Sequence, residues 1–108
     1  MVEYAFSLDS IFSSLADPTR RDILRRVSDT EMSVNEIAKP YDLTLAAVSK
    51  HLKVLESAKL IIKRKRGKQH MVSMAPNALA SAAEYLDWYR QFTQAHYDSL
   101  ENYLNKEV

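Results

Sequence analysis

Two capped helical signals separated by a stop, followed at once by a change of hydrophobic period, constrain this chain more than anything else in it. Ser33-Val34-Asn35-Glu36 has the spacing of a capping box, in which the serine oxygen accepts from the amide of residue 36 and the Glu36 carboxylate returns to the amide of Ser33. A helix starts there. Pro40 ends it after about two turns, because proline disfavours helical geometry in its predecessor. Asp42 or Thr44 then caps a second helix, whose apolar positions Leu45, Val48, Leu52 and Leu55 recur at steps of three and four. After Ala58 the period changes. Leu60-Ile61-Ile62 and Met71-Val72 with Met74 are two strand-favouring runs either side of Gly67, the chain's single glycine, so a two-stranded hairpin reversing near Gly67 is predicted.

The flanking segments are helical. Leu8, Ile11, Phe12 and Leu15 mark a short helix, and Asp17-Pro18 can cap and open the next, whose buried side carries Ile23, Leu24 and Val27. Pro76 and Asn77 open the longest periodic stretch, with Leu79, Ala82, Leu86, Tyr89, Ala95, Leu100 and Tyr103 among its apolar positions. Continuous to about Tyr103, it spans roughly 40 Å. A small core cannot cover so long a rod, and Tyr85, Trp88, Tyr89, Phe92, Tyr97 and Tyr103 make the uncovered surface adhesive, a mark of a protein contact.

Size and charge narrow the function. At 108 residues the chain is expected to be one domain, 1–108, and too short for a large enclosed catalytic site. It has no phosphate-binding glycine loop and no nucleophile elbow, so an enzyme is not expected and no catalytic residue is assigned. Cysteine is absent, which removes disulfides, thiolate metal ligands and a thiol nucleophile together. No apolar run of about 18 residues spans a bilayer, and the first residues lack the pattern of a secretory signal. The expected location is cytoplasmic, with no membrane partner. The net charge of +1 hides an asymmetry: Lys59, Lys63, Arg64, Lys65, Arg66 and Lys68 fall within one acid-free stretch, whereas Glu84, Asp87, Asp98, Glu101 and Glu107 outnumber Arg90 and Lys106 towards the end.

A helical pair followed by a basic hairpin suits duplex DNA, because the major groove is about 12 Å wide and admits one helix. With its apolar positions turned inward, the helix over 44–58 presents Thr44, Ala46, Ala47, Ser49, Lys50 and Lys53, with His51 towards the flank. Small residues can meet thymine methyls, a hydroxyl can reach base or phosphate, and lysines suit phosphate or guanine. The hairpin over 60–74 would add Lys63, Arg64, Lys65, Arg66, Lys68 and Gln69, with the cations at its tip. His51 and His70 read as packing or phosphate contacts. Other readings compete: a plain core helix, a hairpin made soluble by lysine, or a protein-interaction module built on the aromatic helix.

The chain resembles the ArsR-type winged-helix regulators from about Ser7 to the end of its last helix. Leu15-Ala16-Asp17-Pro18-Thr19-Arg20-Arg21-Asp22-Ile23-Leu24 is similar to that family's second-helix signature, and Val48-Ser49-Lys50-His51-Leu52-Lys53-Val54-Leu55 follows at the expected distance. The resemblance implies a mainly α, α+β winged helix-turn-helix fold of about five helices with a two-stranded wing. It implies a homodimer through the first and last helices, the latter over about 77–104, with Leu8, Ile11, Phe12, Leu79, Ala82, Leu86, Tyr89, Phe92 and Leu100 at the interface. It further implies binding to double-stranded DNA at an imperfect palindrome, usually as a repressor, with any small-molecule or protein effector left open.

The departures from that pattern are specific. Ser33 to Pro40 lacks the cysteines with which many members sense metals. Thr44 and Ala46 stand where serines are common, and Lys59 where a glycine often ends the helix. A second family metal site uses the last helix, where this chain has His96, Asp98 and Glu101 with Glu84 and Asp87 earlier; one histidine is thin for zinc, and no metal or other cofactor is expected.

Overall fold

The computed structural model describes residues 6–106. Among them the order is α1 (Leu8–Ser14), α2 (Pro18–Asp29), β1 (Met32–Ser33), α3 (Val34–Ala38), α4 (Leu45–Ser57), β2 (Ile61–Arg66), β3 (Gln69–Met74) and α5 (Pro76–Lys106). The predicted caps form. Asp17 accepts from the Arg20 amide at 3.0 Å, Thr44, rather than Asp42, accepts from the Ala47 amide at 3.1 Å, and Ser33 and Glu36 exchange both bonds of the capping box at 3.1 and 3.2 Å. These contacts use amides that helix geometry leaves unpaired.

The predicted hairpin of β2 and β3 forms about Gly67, and a third strand that was not expected, β1, joins it in the order β1-β3-β2. Met32 and Ser33 pair with Val72 and Met71. A strand of two residues has no period of its own to read, and Ser33 also serves as the cap of α3. The expected position of the cations is corrected too: Lys63, Arg64, Lys65 and Arg66 lie along β2, paired opposite Val72, Met71, His70 and Gln69. Only Gly67 and Lys68 remain for the reversal, and Gly67 takes φ +61°, which glycine adopts without steric cost.

Ile11, Ile23, Val27, Ile37, Val48, Leu52, Leu55, Leu60, Ile61 and Val72 form the buried core with Leu24, Ala58, Ala78 and Ala82. Leu45, expected to face inward, is 52% exposed. It belongs to the first turn of α4, ahead of the core layer, where it lines the cleft towards the wing. Arg26 reaches from α2 to the Ile37 and Glu36 carbonyls at 2.9 and 3.1 Å, satisfying acceptors at the end of a helix too short to pair them itself. Tyr41 donates to Asp22 beneath this contact.

The end of α4 explains the chain's departure at Lys59. The Lys59 amide donates to Glu56 and the Leu60 amide to the Leu55 carbonyl at 3.0 Å, with Leu60 and Leu55 both fully buried. This is a Schellman ending, which needs a left-handed residue after the cap. Lys59 occupies it at φ 63° without being glycine.

Ala78 and Ala82 fasten α5 to the core, and beyond Ala82 the helix runs on with only Asp87 half-buried. The helix is about 46 Å long, of which roughly 36 Å projects beyond Ala82, in a molecule whose overall extents are 66 × 38 × 21 Å. No helix among the described residues is long and apolar enough to cross a membrane.

Candidate nucleic-acid interface

The outward face of α4 follows from its buried one. Val48, Leu52 and Leu55 face the core, so at 100° per residue Ala46, Lys50, Lys53 and Ser57 stack on the opposite side, and all four are exposed. Thr44 and Ser49 are exposed as well, with Ser49 turned towards the wing, while Ala47 is half-buried. Among the described residues neither Lys50 nor Lys53 makes an ion pair.

His51 sits apart from that face. It is half-buried, and its Nδ1 accepts from Arg20 Nη1 at 3.2 Å. A guanidinium can only donate, so the proton of a neutral His51 ring belongs on Nε2. Asp17 Oδ2 lies 3.9 Å from the same nitrogen. Arg20 also donates to the Ser14 carbonyl at 2.6 Å and the Ser13 carbonyl at 3.3 Å. One guanidinium therefore joins the end of α1, the start of α2 and the middle of α4. The Arg20 amide holds the Asp17 carboxyl below its ordinary range, aided by the Arg20 charge against the opposing effect of burial.

Strand alternation divides the wing cations. Lys63 and Lys65 share the β2 face that carries buried Ile61, and Arg64 and Arg66 take the other. Glu31, just before β1, holds both arginines: Arg64 at 2.6 Å and Arg66 at 3.2 Å. The acid-free stretch of sequence thus receives an acid from elsewhere in the fold. Lys65, Lys68 and Gln69 are exposed and Lys63 is half-buried.

Between α4 and the wing lies a cleft of about 260 Å³, in which Ser49 and Leu45 face Lys63, Lys68, Gln69 and His70, with Asn35 from the first turn of α3. No acid lines it. Asn35 was not anticipated from sequence; its place beside the capping box, on the helix that braces α4, was the available signal. His70 is exposed at the rim of this cleft and is not a packed core side chain.

The nine residues expected at a dimer interface separate into three groups. Ile11 is 0% and Ala82 5% exposed, so both are spent within the protomer core, and their assignment to an intersubunit surface is corrected: an apolar periodic position looks the same whether its own core or another chain covers it. Leu8 and Leu79 are half-buried against that core. Phe12, Leu86, Tyr89, Phe92 and Leu100 are exposed, joined by Tyr85, Trp88, Tyr97, Tyr103 and Leu104. Phe12 packs on Tyr85 with ring centroids 6.1 Å apart, which makes α1 and α5 one continuous apolar surface. Among the described residues no group of three or more His, Asp or Glu is placed to hold a metal. Of the acids on α5, Asp87 accepts from Arg90 at 2.8 Å and Asp98 from Gln94 at 3.0 Å.

Known proteins share this arrangement. A family model described as a helix-turn-helix domain matches residues 15–64. The chain is 37% identical over 89 residues to the HTH-type transcriptional regulator Rv2034 of Mycobacterium tuberculosis, covering 81% of this chain and 83% of that protein. It is 25% identical over 79 residues to the transcriptional repressor SdpR of Bacillus subtilis, covering 73% and 88%. Among solved structures, the crystal structure of an ArsR family transcriptional regulator superposes with a TM-score of 0.77 at 32% identity, covering 87% of this chain and 97% of that one.

Proposed function

Because the chain belongs to the ArsR family of winged-helix transcriptional regulators, we propose that it acts as a homodimeric repressor that places α4 of each subunit in the major groove of an imperfectly palindromic site. Residues 1–108 act as one DNA-binding unit, with α5 as the dimerisation helix. The observation that carries the reading is the exposed face of Ala46, Ser49, Lys50 and Lys53 on α4, adjoined at Ser49 by an acid-free cleft that Lys63, Lys68 and His70 line. Small side chains at Ala46 and Ala47 allow the helix backbone to approach base edges, Ser49 and Lys50 stand where bases are read, and the wing lysines meet the phosphates on either side.

The dimer is supported by the apolar face of α5. Leu86, Tyr89, Leu100 and Tyr103 are all at least 46% exposed and recur along one side of the rod, where a second copy of the same helix would bury them. Paired subunits would offer two copies of α4, and a palindrome is the sequence counterpart of that symmetry. The metal-responsive alternative finds less support, since among the described residues His96 stands without a ligand set.

The test is a binding titration of labelled duplex against salt. For six or so phosphate contacts the affinity should fall by about a thousandfold between 50 and 200 mM salt. A slope indistinguishable from zero would reject the reading. Replacing Lys63, Lys65 and Lys68 by alanine should weaken binding to all sequences alike, whereas Ser49→Ala and Lys50→Ala should also change sequence preference.

A further inference from the structure

A second recess lies beside α4, on the side away from the wing. α1 and α4 leave between them an open groove of about 730 Å³, within the roughly 300–1,000 Å³ of small-molecule sites. Val54 and Ala58 supply apolar lining, Ser10 and Ser13 place hydroxyls along the α1 wall, and Lys50 and Lys53 place ammonium groups along the α4 wall. Asp9 is the single acid of the lining. Two cations against one carboxylate favour an anion, and the apolar lining favours hydrocarbon attached to it. Val54, a β-branched apolar residue 40% exposed in mid-helix, gains burial from such an occupant.

The groove is separate from the surface assigned to the dimer. Ser10 lies two residues from Phe12 and so about 200° round α1, while Phe12 packs on Tyr85. Ser10 thus points away from the Phe12–Tyr85 contact.

The geometry points to a binding site for a small amphipathic carboxylate, its aromatic or short aliphatic body lying on Val54 and Ala58 and its carboxylate held by Lys50 and Lys53. The serine hydroxyls can donate to the same head group. Lys50 and Lys53 also belong to the face assigned to DNA, so ligand and duplex compete for the same ammonium groups. That competition, unlike the groove itself, rests on the DNA-binding reading, and it would make such a carboxylate an inducer.

The experiment is a nuclear magnetic resonance titration of the full chain with 2-naphthoate, without DNA, read at the methyl groups of Val54 and Ala58. Saturable shifts are expected at both. The double variant K50Q/K53Q, and separately the uncharged probe naphthalene-2-methanol on the parent chain, should each bind about tenfold more weakly or worse. Both lysines are exposed, and the single variant K53Q should fall between parent and double variant. Shifts confined to the aromatic residues of α5, equal affinity for alcohol and carboxylate, or lysine variants that bind as the parent does would each overturn the site.

Adding labelled duplex separates the two proposals. With the groove saturated by 2-naphthoate the apparent Kd for DNA should rise about tenfold or more. If duplex binds unchanged while the methyl shifts persist, the competition is overturned. If duplex never binds, the DNA reading fails and the groove stands; if duplex binds and the methyls do not shift, the groove fails alone.

Discussion

The Glu31 carboxylate lies 2.6 Å from the Arg64 guanidinium and reaches Arg66 as well, so two of the wing's cations share one carboxylate from the opposite edge of the sheet. Glu31→Gln should free both arginines for phosphate. Duplex affinity at low salt is expected to rise several-fold and the slope of log K against log salt to steepen by roughly one to two. Stability should change by less than about 1 kcal/mol, since both arginines are largely exposed and screened by solvent. Anisotropy titrations at four salt concentrations measure both quantities, and an unchanged slope would mean that the arginines never meet the duplex.

At Lys59 the chain holds a left-handed backbone with an ordinary side chain. Lys59→Gly should stabilise the protein by about 0.5–1 kcal/mol, less whatever is lost from the contact of its ammonium with the Phe6 ring, 5.9 Å away. Lys59→Val should be destabilising by more than about 1 kcal/mol, because β-branching is least tolerated at positive φ. Urea unfolding of the three proteins gives the order directly.

Arg20 joins three helices through the Ser13 and Ser14 carbonyls and His51 Nδ1. Arg20→Ala is expected to cost about 2 kcal/mol, the range for partly buried hydrogen bonds from a charged donor. His51→Ala should lower stability by about 1 kcal/mol while leaving the salt slope of DNA binding unchanged. A His51 variant of full stability with a shallower slope would place the imidazole on a phosphate instead.

The pH dependence has a definite sign. Asp17 is held below its ordinary value chiefly by the Arg20 amide, Asp22 by the Tyr41 hydroxyl and Arg25, and Glu36 by the Ser33 amide and hydroxyl. A lowered folded value means that the unfolded chain binds more protons in this range, so stability is complete above the ordinary carboxylate values and is lost as pH falls through them. Asp17→Asn keeps an acceptor at the cap, whereas Asp17→Ala removes it at a cost of about 1 kcal/mol near neutrality. Thermal melts from pH 7 to 3 should show a shallower acid decline for Asp17→Asn than for the parent.

Exposed apolar positions on α5 should govern assembly. Leu86→Lys with Leu100→Lys puts two charges where a twin helix would pack, and dimerisation is expected to weaken by a hundredfold or more. Neither side chain enters the core, so the far-ultraviolet circular dichroism spectrum of the domain should be kept. Sedimentation equilibrium across micromolar concentrations decides it, and an unaltered dimer would move the interface off this face.

Much of the fold is readable along the chain because its signals are local. A cap and its free amide are three residues apart, as at Asp17, Ser33 and Thr44, and a helix stripe such as Val48, Leu52 and Leu55 repeats every turn. The outward side of α4 follows from the same geometry, since facing away from a buried stripe is fixed by a rotation of 100° per residue.

What stayed hidden depends on residues far apart in the chain. The pairing of Met32–Ser33 with β3 joins positions about forty residues apart, and Glu31 reaches Arg64 across thirty-three. Neither leaves a periodic trace, because the partner's identity is set by where the sheet and helices come to rest. His51 shows the same division: helical periodicity placed it at the edge of α4, but only the packing of α2 against α4 gave it Arg20. Local hydrogen-bonding rules thus determined the elements and the faces they present, while burial and long-range charge pairing, which exist only once those elements meet, decided which of the exposed-looking side chains remain free.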